Sequence, residues 1–224
     1  MAELIDRMAV EQAFTTRLGL WTERHKQQLV DLLGDPPDWS KVTDEFWNRV
    51  EEEMKTELAI ILLLIFSASA RQHGSAQASG SDWSVARSTG IASSFIANSK
   101  NRLDAIKQGA IEVKSNSQGS SSLLDPKRIA DDVFSQSRFN TLVATETTAA
   151  QSAGSEAAAR NRGDISLQDT WFTERDGRVC SICGPLHASV RGVWDQAFPS
   201  GPPAHPNCRC WIKYAGVPAA LEAV

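Results

Sequence analysis

All four cysteines of the chain lie between Arg178 and Ile212, in "RVCSICGPLHASVRGVWDQAFPSGPPAHPNCRCWI", together with two of its four histidines. Cys180 and Cys183 make a C-x2-C pair, and His205 and Cys208 an H-x2-C pair of the same spacing. Two residues between ligands allow a tight turn in which both side chains converge on one ion, as tetrahedral zinc requires. Cys180, Cys183, His205 and Cys208 are therefore the preferred ligands of a structural Zn2+ ion. Cys210 is an alternative to His205 or Cys208, because alternate residues of an extended C-x-C share a face. His187, four residues beyond Cys183, is a weaker one. Three other readings of the same residues stay open: buried reduced thiols, disulfides, which need an oxidising compartment, and a catalytic thiolate beside His205 or His187. No known nucleophile motif surrounds any of the cysteines. A module this small is poorly held by core burial alone, which favours a metal staple.

The elements that must position this cluster are mostly helical. Leu4, Met8, Phe14, Leu18, Trp21, Leu29 and Leu33 recur at roughly helical intervals, one apolar stripe among charges. "GDPPD" at Gly34–Asp38 stops that helix. A second helix is expected from near Ser40 through "VTDEFWNRVEEEMKTELAIILLLIFSASARQ", with Glu51–Glu53 as a solvated face. After a break at His73–Ser81 a third helical pattern resumes, and "KSNSQGSSS" at Lys114–Ser122 reads as a linker. Asp125–Pro126 marks a helix start, a capping carboxylate before a proline at the first helical position, and Gly163 ends the helical region. Beyond it turn residues become dense. "SVRGVWDQAF" is expected as a strand pair or irregular β segment and "CRCWIKY" as a short strand.

The expected class is mainly α: a long helical N-terminal region followed by a small α+β C-terminal module with a Cys/His cluster. The expected divisions are residues 1–122 as a helical arm or bundle, 123–214 as the C-terminal module (helices 125–162, clasp 164–214) and 215–224 as a tail.

Composition narrows the function classes. With 42% hydrophobic and 22% charged residues the chain is not disordered throughout, and a net charge of -4 supplies no general attraction for nucleic acid. The N-terminal residues lack the basic and apolar regions of an export signal. The most apolar run, "LAIILLLIF" at Leu58–Phe66, is about half of the roughly 20 residues needed to span a bilayer, so no stable membrane insertion is expected. A helix apolar on all sides needs cover on all sides. Leu58, Ile61, Leu62, Ile65 and Phe66 are therefore expected to pack in a bundle or to form a partner interface. The seven tryptophans are expected mainly as core, with an interface role as the alternative.

"TWFTERDGRVCSICGPLHASVRGVW" followed by "FPSGPPAHPNCRC" resembles the C-terminal domain of the Mu F-like head morphogenesis (minor head) proteins of tailed phages. The matching positions are Trp171, Thr173, Asp176, Val179, Cys180, Cys183 and Leu186, then Pro202, Pro203, His205, Pro206, Asn207, Cys208, Arg209 and Cys210. The upstream helix of the family carries an "RTE" step. Here "ATET" at Ala144–Thr147 keeps Thr145 and Glu146 and has Ala144 in place of the arginine. The resemblance spans about residues 141–212 and implies a virion protein without enzymatic activity. It would be made in the host cytoplasm and sit at the portal vertex or capsid interior, acting in head assembly and DNA packaging or ejection.

The partners it implies are the portal protein, the major capsid or scaffolding protein, packaged DNA and further copies of itself. A buried pair between Arg209 and Asp176 or Glu146 is one expectation for the C-terminal strand; an exposed Arg209 is the other. The alternative function is a phage-delivered effector enzyme of nuclease or ADP-ribosyltransferase type, drawing on Glu146, Asp176, His187 and His205. A zinc-dependent nucleic-acid binder is a third reading.

Overall fold

The computed structural model describes residues 7–115, 125–174 and 179–216. Five helices lead: α1 (Arg7–Leu33), α2 (Asp44–Gln72), α3 (Ser81–Ser115), α4 (Pro126–Val133) and α5 (Gln136–Arg162). Strand β1 (Thr170–Phe172) follows, then the one-turn helices α6 (Cys183–Leu186) and α7 (Arg191–Trp194), then β2 (Trp211–Lys213). Among the described residues 69% are helical, which is the expected mainly α class with a small α+β module. No helix among the described residues is long and apolar enough to cross a membrane.

The helix ends follow local chemistry. Gly34 leaves α1 at φ +67° and Gly163 leaves α5 at φ +73°, a left-handed turn in which a side chain would be strained. Asp38 accepts the Ser40 N–H at 3.1 Å and caps a short 3-10 turn. Asp44 and Glu45 open α2, where their charge opposes the helix dipole. Asp125 accepts the Lys127 N–H at 3.0 Å ahead of Pro126, the expected start of α4.

One expected element differs. "SVRGVWDQAF" is not a strand pair: Val190 bridges Thr170 once, and the chain then coils into α7. The cause is the burial of Arg191 and Trp194, whose N–H groups turn inward to Asp169. Most of the linker at Lys114–Ser122 and the tail beyond Gly216 lie outside the described residues.

By internal contact the chain divides into two compact units. One comprises Thr15–Ala59 and Val85–Phe139. Its core is aromatic: Trp21 meets Phe95, Phe134 and Phe139 edge-on at 6.4, 6.1 and 5.9 Å, and Trp47 lies 6.2 Å from Phe134. His25 is fully buried in this core, its Nδ1–H donating to the Trp21 carbonyl at 2.8 Å and its Nε2 3.3 Å from Glu53.

The other unit comprises Met1–Phe14, Ile60–Ser84 and Asn140–Val224. Here α2 and α5 approach closely along small residues. Phe66, Ala70 and Ala158 are buried together, flanked by Ala78, Trp83, Ala153 and Ala157. Ser69 donates across the contact to the Gln151 carbonyl at 2.7 Å.

The apolar run of α2 takes the bundle role of the two expected for it, and not the partner interface. Leu58, Ile61, Leu62, Ile65 and Phe66 are all buried within the chain, so these five are core residues and not an open partner surface. The run is not covered on all sides, however: Ile60 is 41% and Leu64 62% exposed. Of the tryptophans, Trp21, Trp47, Trp171 and Trp194 are buried, while Trp211 is 46% exposed.

Candidate metal centre

Two short strands build the floor of the site. β1 and β2 pair antiparallel with Trp171 opposite Ile212. On such a pair alternate side chains take opposite faces. The inward face is buried with Trp194, Tyr214, Cys183, Cys208 and Cys210, and on the outward face Phe172 stacks on Trp211 at 4.7 Å and 15°. Cys208 and Cys210 lie on the lead into β2, and Cys180 and Cys183 on the turn into α6.

These segments bring five donors into two triads that share Cys183. Cys180, Cys183 and His205 form one, and Cys183, Cys208 and Cys210 the other, each with its donor atoms within 4.8 Å of one another. His205 Nε2 is 3.0 Å from the Sγ of both Cys180 and Cys183, and Cys183 Sγ is 3.9 Å from Cys208 Sγ. A tetrahedral ion with metal–sulfur bonds of about 2.3 Å holds its donors about 3.8 Å apart. The Cys183–Cys208 pair already has that separation, and the histidine contacts would open by less than an ångström. The four expected ligands are split between the triads: Cys180, Cys183 and His205 stand in one, and Cys208 stands in the other with Cys183 and the alternative ligand Cys210. All four cysteines are free.

The protonation states differ across the cluster. His205 Nδ1 lies 2.6 Å from the Pro206 carbonyl, which can only accept, so Nδ1 carries the proton and Nε2 presents its lone pair to the thiols. The Cys183 N–H donates to Cys180 Sγ at 3.3 Å and is the main cause lowering the Cys180 thiol below its ordinary value. Cys208 is drawn down to about 5, chiefly by a hydrogen bond from Cys210, whose own thiol is pushed up by the same bond. Burial pushes Cys183 up to about 12, a cost that bound metal removes. The indole N–H of Trp171, buried without an acceptor of its own, acts on the Cys210 sulfur in favour of its thiolate. A donor set of sulfur and imidazole nitrogen suits soft or borderline ions and not calcium or magnesium. The cluster can hold a metal ion.

One face of α5 cradles the His205–Cys210 segment. Asn207 adopts φ +61°, a left-handed conformation that asparagine tolerates better than most residues. Its N–H then reaches Thr145 Oγ1 at 2.8 Å, and its side-chain amide reaches Thr141 Oγ1 at 3.4 Å. Thr148 donates its hydroxyl to the Cys208 carbonyl. Arg7, from the first turn of α1, donates to Thr148 Oγ1 at 2.9 Å and to the Ala144 carbonyl at 3.3 Å. A guanidinium thus reaches the position where Ala144 supplies none.

The other motif residues take structural places around the cluster. Trp171 is core, packed 5.7 Å from Trp194 and 5.8 Å from Phe198. Pro203 follows a cis Pro202–Pro203 bond. Glu146 is buried on α5, Arg209 is half-buried between the two cysteines, and Asp176 lies outside the described residues. His187 accepts the Thr173 N–H at Nδ1 over 3.2 Å and belongs to neither triad.

A buried arginine–carboxylate pair that the sequence reading missed joins Arg191 and Asp169. Arg191 Nε donates to Asp169 Oδ2 at 3.1 Å, with side chains 8% and 0% exposed. Glu156 and Asp195 lie 3.8 and 3.6 Å from Arg191 Nη1. The available signal was weak: a lone aspartate before the apolar β1 and an arginine between valines.

The thiol and imidazole cluster, the helix that cradles it and the two closing strands fall inside a single stretch that matches a known family. The family model of Phage Mu protein F like proteins covers residues 101–213. Comparison with curated proteins and with solved structures found no match. Because that stretch is half of the 224 residues and contains every element of the site except the first turn of α1, the chain belongs to the Phage Mu protein F like family.

Proposed function

We propose that the protein is a minor capsid protein of a tailed phage that acts in head morphogenesis. The observation that carries this is the family match over residues 101–213, which points to a phage head protein and to a place in the virion. The finer reading puts the protein at the portal vertex or inner head, in contact with the portal protein, and with the major capsid or scaffolding protein, further copies of itself and packaged DNA as further contacts. Its role is assembly, and DNA packaging or ejection, without catalysis. The ionisable groups of the C-terminal module support a non-enzymatic reading, since they serve structure: Asp169 holds Arg191, His187 holds Thr173, and the cysteines pack into a core. The ion is read as structural Zn2+, held by Cys180, Cys183, His205 and Cys208, because C-x2-C and H-x2-C pairs are zinc spacings.

A tagged pull-down from phage-producing cells, read by mass spectrometry, tests the proposal. Recovery of the portal protein supports it. Recovery of host proteins alone, without portal or capsid protein, rejects it in favour of an effector enzyme.

A further inference from the structure

We propose that Arg7 is a positioning residue of the metal centre, acting through the Thr148 hydroxyl on the Cys208 ligand. The inference rests on the reading of the cysteine–histidine cluster as a metal site. A hydroxyl carries one proton and two lone pairs. The hydroxyl has two carbonyls in reach, Ala144 at 3.3 Å and the much nearer Cys208, so its proton goes to Cys208, and the lone pairs face the Arg7 guanidinium at 2.9 Å. The direction of the chain is therefore fixed: guanidinium to hydroxyl to ligand carbonyl. A charged donor polarises the hydroxyl and strengthens the bond it makes in turn.

Arg7 is itself held. Its Nε donates to Glu11 Oε1 at 2.8 Å, one turn along the same helix, which leaves Nη2 to bridge Thr148 and the Ala144 carbonyl. Thr148 is 1% exposed, so water does not compete for its hydroxyl. The peptide that is fixed belongs to Cys208, whose Sγ stands 3.9 Å from the shared ligand Cys183. Movement of that carbonyl moves the sulfur. Partners that orient a ligand from outside the coordination shell are typically worth about 10–100-fold in metal affinity. The first turn of α1 is thereby coupled to ion retention, although it contributes no ligand.

The test is the rate at which the zinc-loaded, full-length protein yields its ion to a chromophoric chelator in excess. Arg7→Gln and Thr148→Val are each expected to release it about 10–100-fold faster, with helical circular dichroism unchanged. The double variant is expected to be no faster than Thr148→Val alone, because both act on one chain of bonds, and Thr148→Ser, which keeps the hydroxyl, is expected to release at the wild-type rate. If the wild type retains its ion and Arg7→Gln releases it no faster, the positioning role is overturned and the metal site stands. Multiplying effects in the double variant would overturn it equally. A wild type that holds no stoichiometric metal removes the metal reading, and this proposal with it.

Discussion

Asp169 and Arg191 hold each other in the interior of the C-terminal module, and the aspartate closes more than the ion pair. Its Oδ2 accepts from Arg191 Nε and from the Ser166 N–H at 3.0 Å, and its Oδ1 accepts from the Ala215 N–H at 3.0 Å. Its backbone carbonyl receives both the Trp194 indole and the Arg191 N–H. One side chain thus ties the approach to β1, the start of α7 and the exit of β2. Asp169→Asn is expected to cost about 3–5 kcal/mol, the usual consequence of leaving a buried charge without its partner. Removing both charges with Asp169→Leu and Arg191→Met should recover little of this, because the Ser166 and Ala215 donors stay unsatisfied. Urea unfolding of the wild type and the two variants measures both quantities.

Gly154 sets how closely α5 approaches α2. A Cβ at this position would lie 2.3 Å from the Phe66 carbonyl oxygen and 3.0 Å from the Ser69 Cβ. Backbone cannot yield as a flexible side chain does, so Gly154→Ala is expected to destabilise by about 1–3 kcal/mol despite alanine's better helix propensity. Gly90 and Gly109 on α3 are the contrast, with nothing within 4 Å of the same probe atom. Alanine at either is expected to stabilise by up to about 1 kcal/mol. Thermal melts of the three variants should separate the two signs.

The difference between what could and could not be read in the sequence is one of range. The spacing of Cys180, Cys183, His205 and Cys208, the Asp125–Pro126 helix start and the glycine stops are local, and local chemistry alone determines what they can do. The ion pair of Asp169 with Arg191 joins residues 22 apart, through a four-residue helix too short to show a period. Nothing in "SVRGVW" announces that its arginine points inward. The same limit applies to Leu58–Phe66: hydropathy shows that the run needs cover, but only the packed neighbours decide that Phe66 is buried and Leu64 exposed. Arg7 is the extreme case, a residue 141 positions from the threonine it binds.

His25, fully buried, and His73, half-buried, are expected to make the fold acid-sensitive. Burial is the main cause lowering the pKa of His25, opposed by the Trp21 carbonyl and Glu53 and assisted by Arg24 and Arg49. Burial is likewise the main cause for His73, opposed by the Ser69 carbonyl and assisted by Arg162. A histidine whose folded pKa lies below its unfolded value of about 6.5 binds its proton more readily when unfolded. Its contribution is complete above that value and is lost as the pH falls from there through the folded pKa. The melting temperature is therefore expected to drop between pH 7 and 5. His25→Gln and His73→Gln should each flatten that slope, and a slope unchanged in both variants would exclude the histidines as its source.

Cys183, shared by both triads, is expected to make the proposed metal site asymmetric under mutation. It is the one residue common to both triads, so Cys183→Ser breaks each of them. That variant is expected to lose stoichiometric metal altogether, as read by elemental analysis. Cys210→Ser leaves Cys180, Cys183, His205 and Cys208 intact and should still bind one ion. It should bind more weakly, since the serine hydroxyl cannot reproduce the thiol packed in the core beside Trp171 and Cys208. Removing the metal from the wild type with a strong chelator is expected to lower the melting temperature, because an ion bound only by the folded state stabilises it by about 4 kcal/mol at a thousand times its dissociation constant. The same chelator should leave Cys183→Ser unmoved. Should Cys183→Ser instead retain metal while Cys208→Ser loses it, the ion would lie on the β2 side of the cluster, away from the C-x2-C turn.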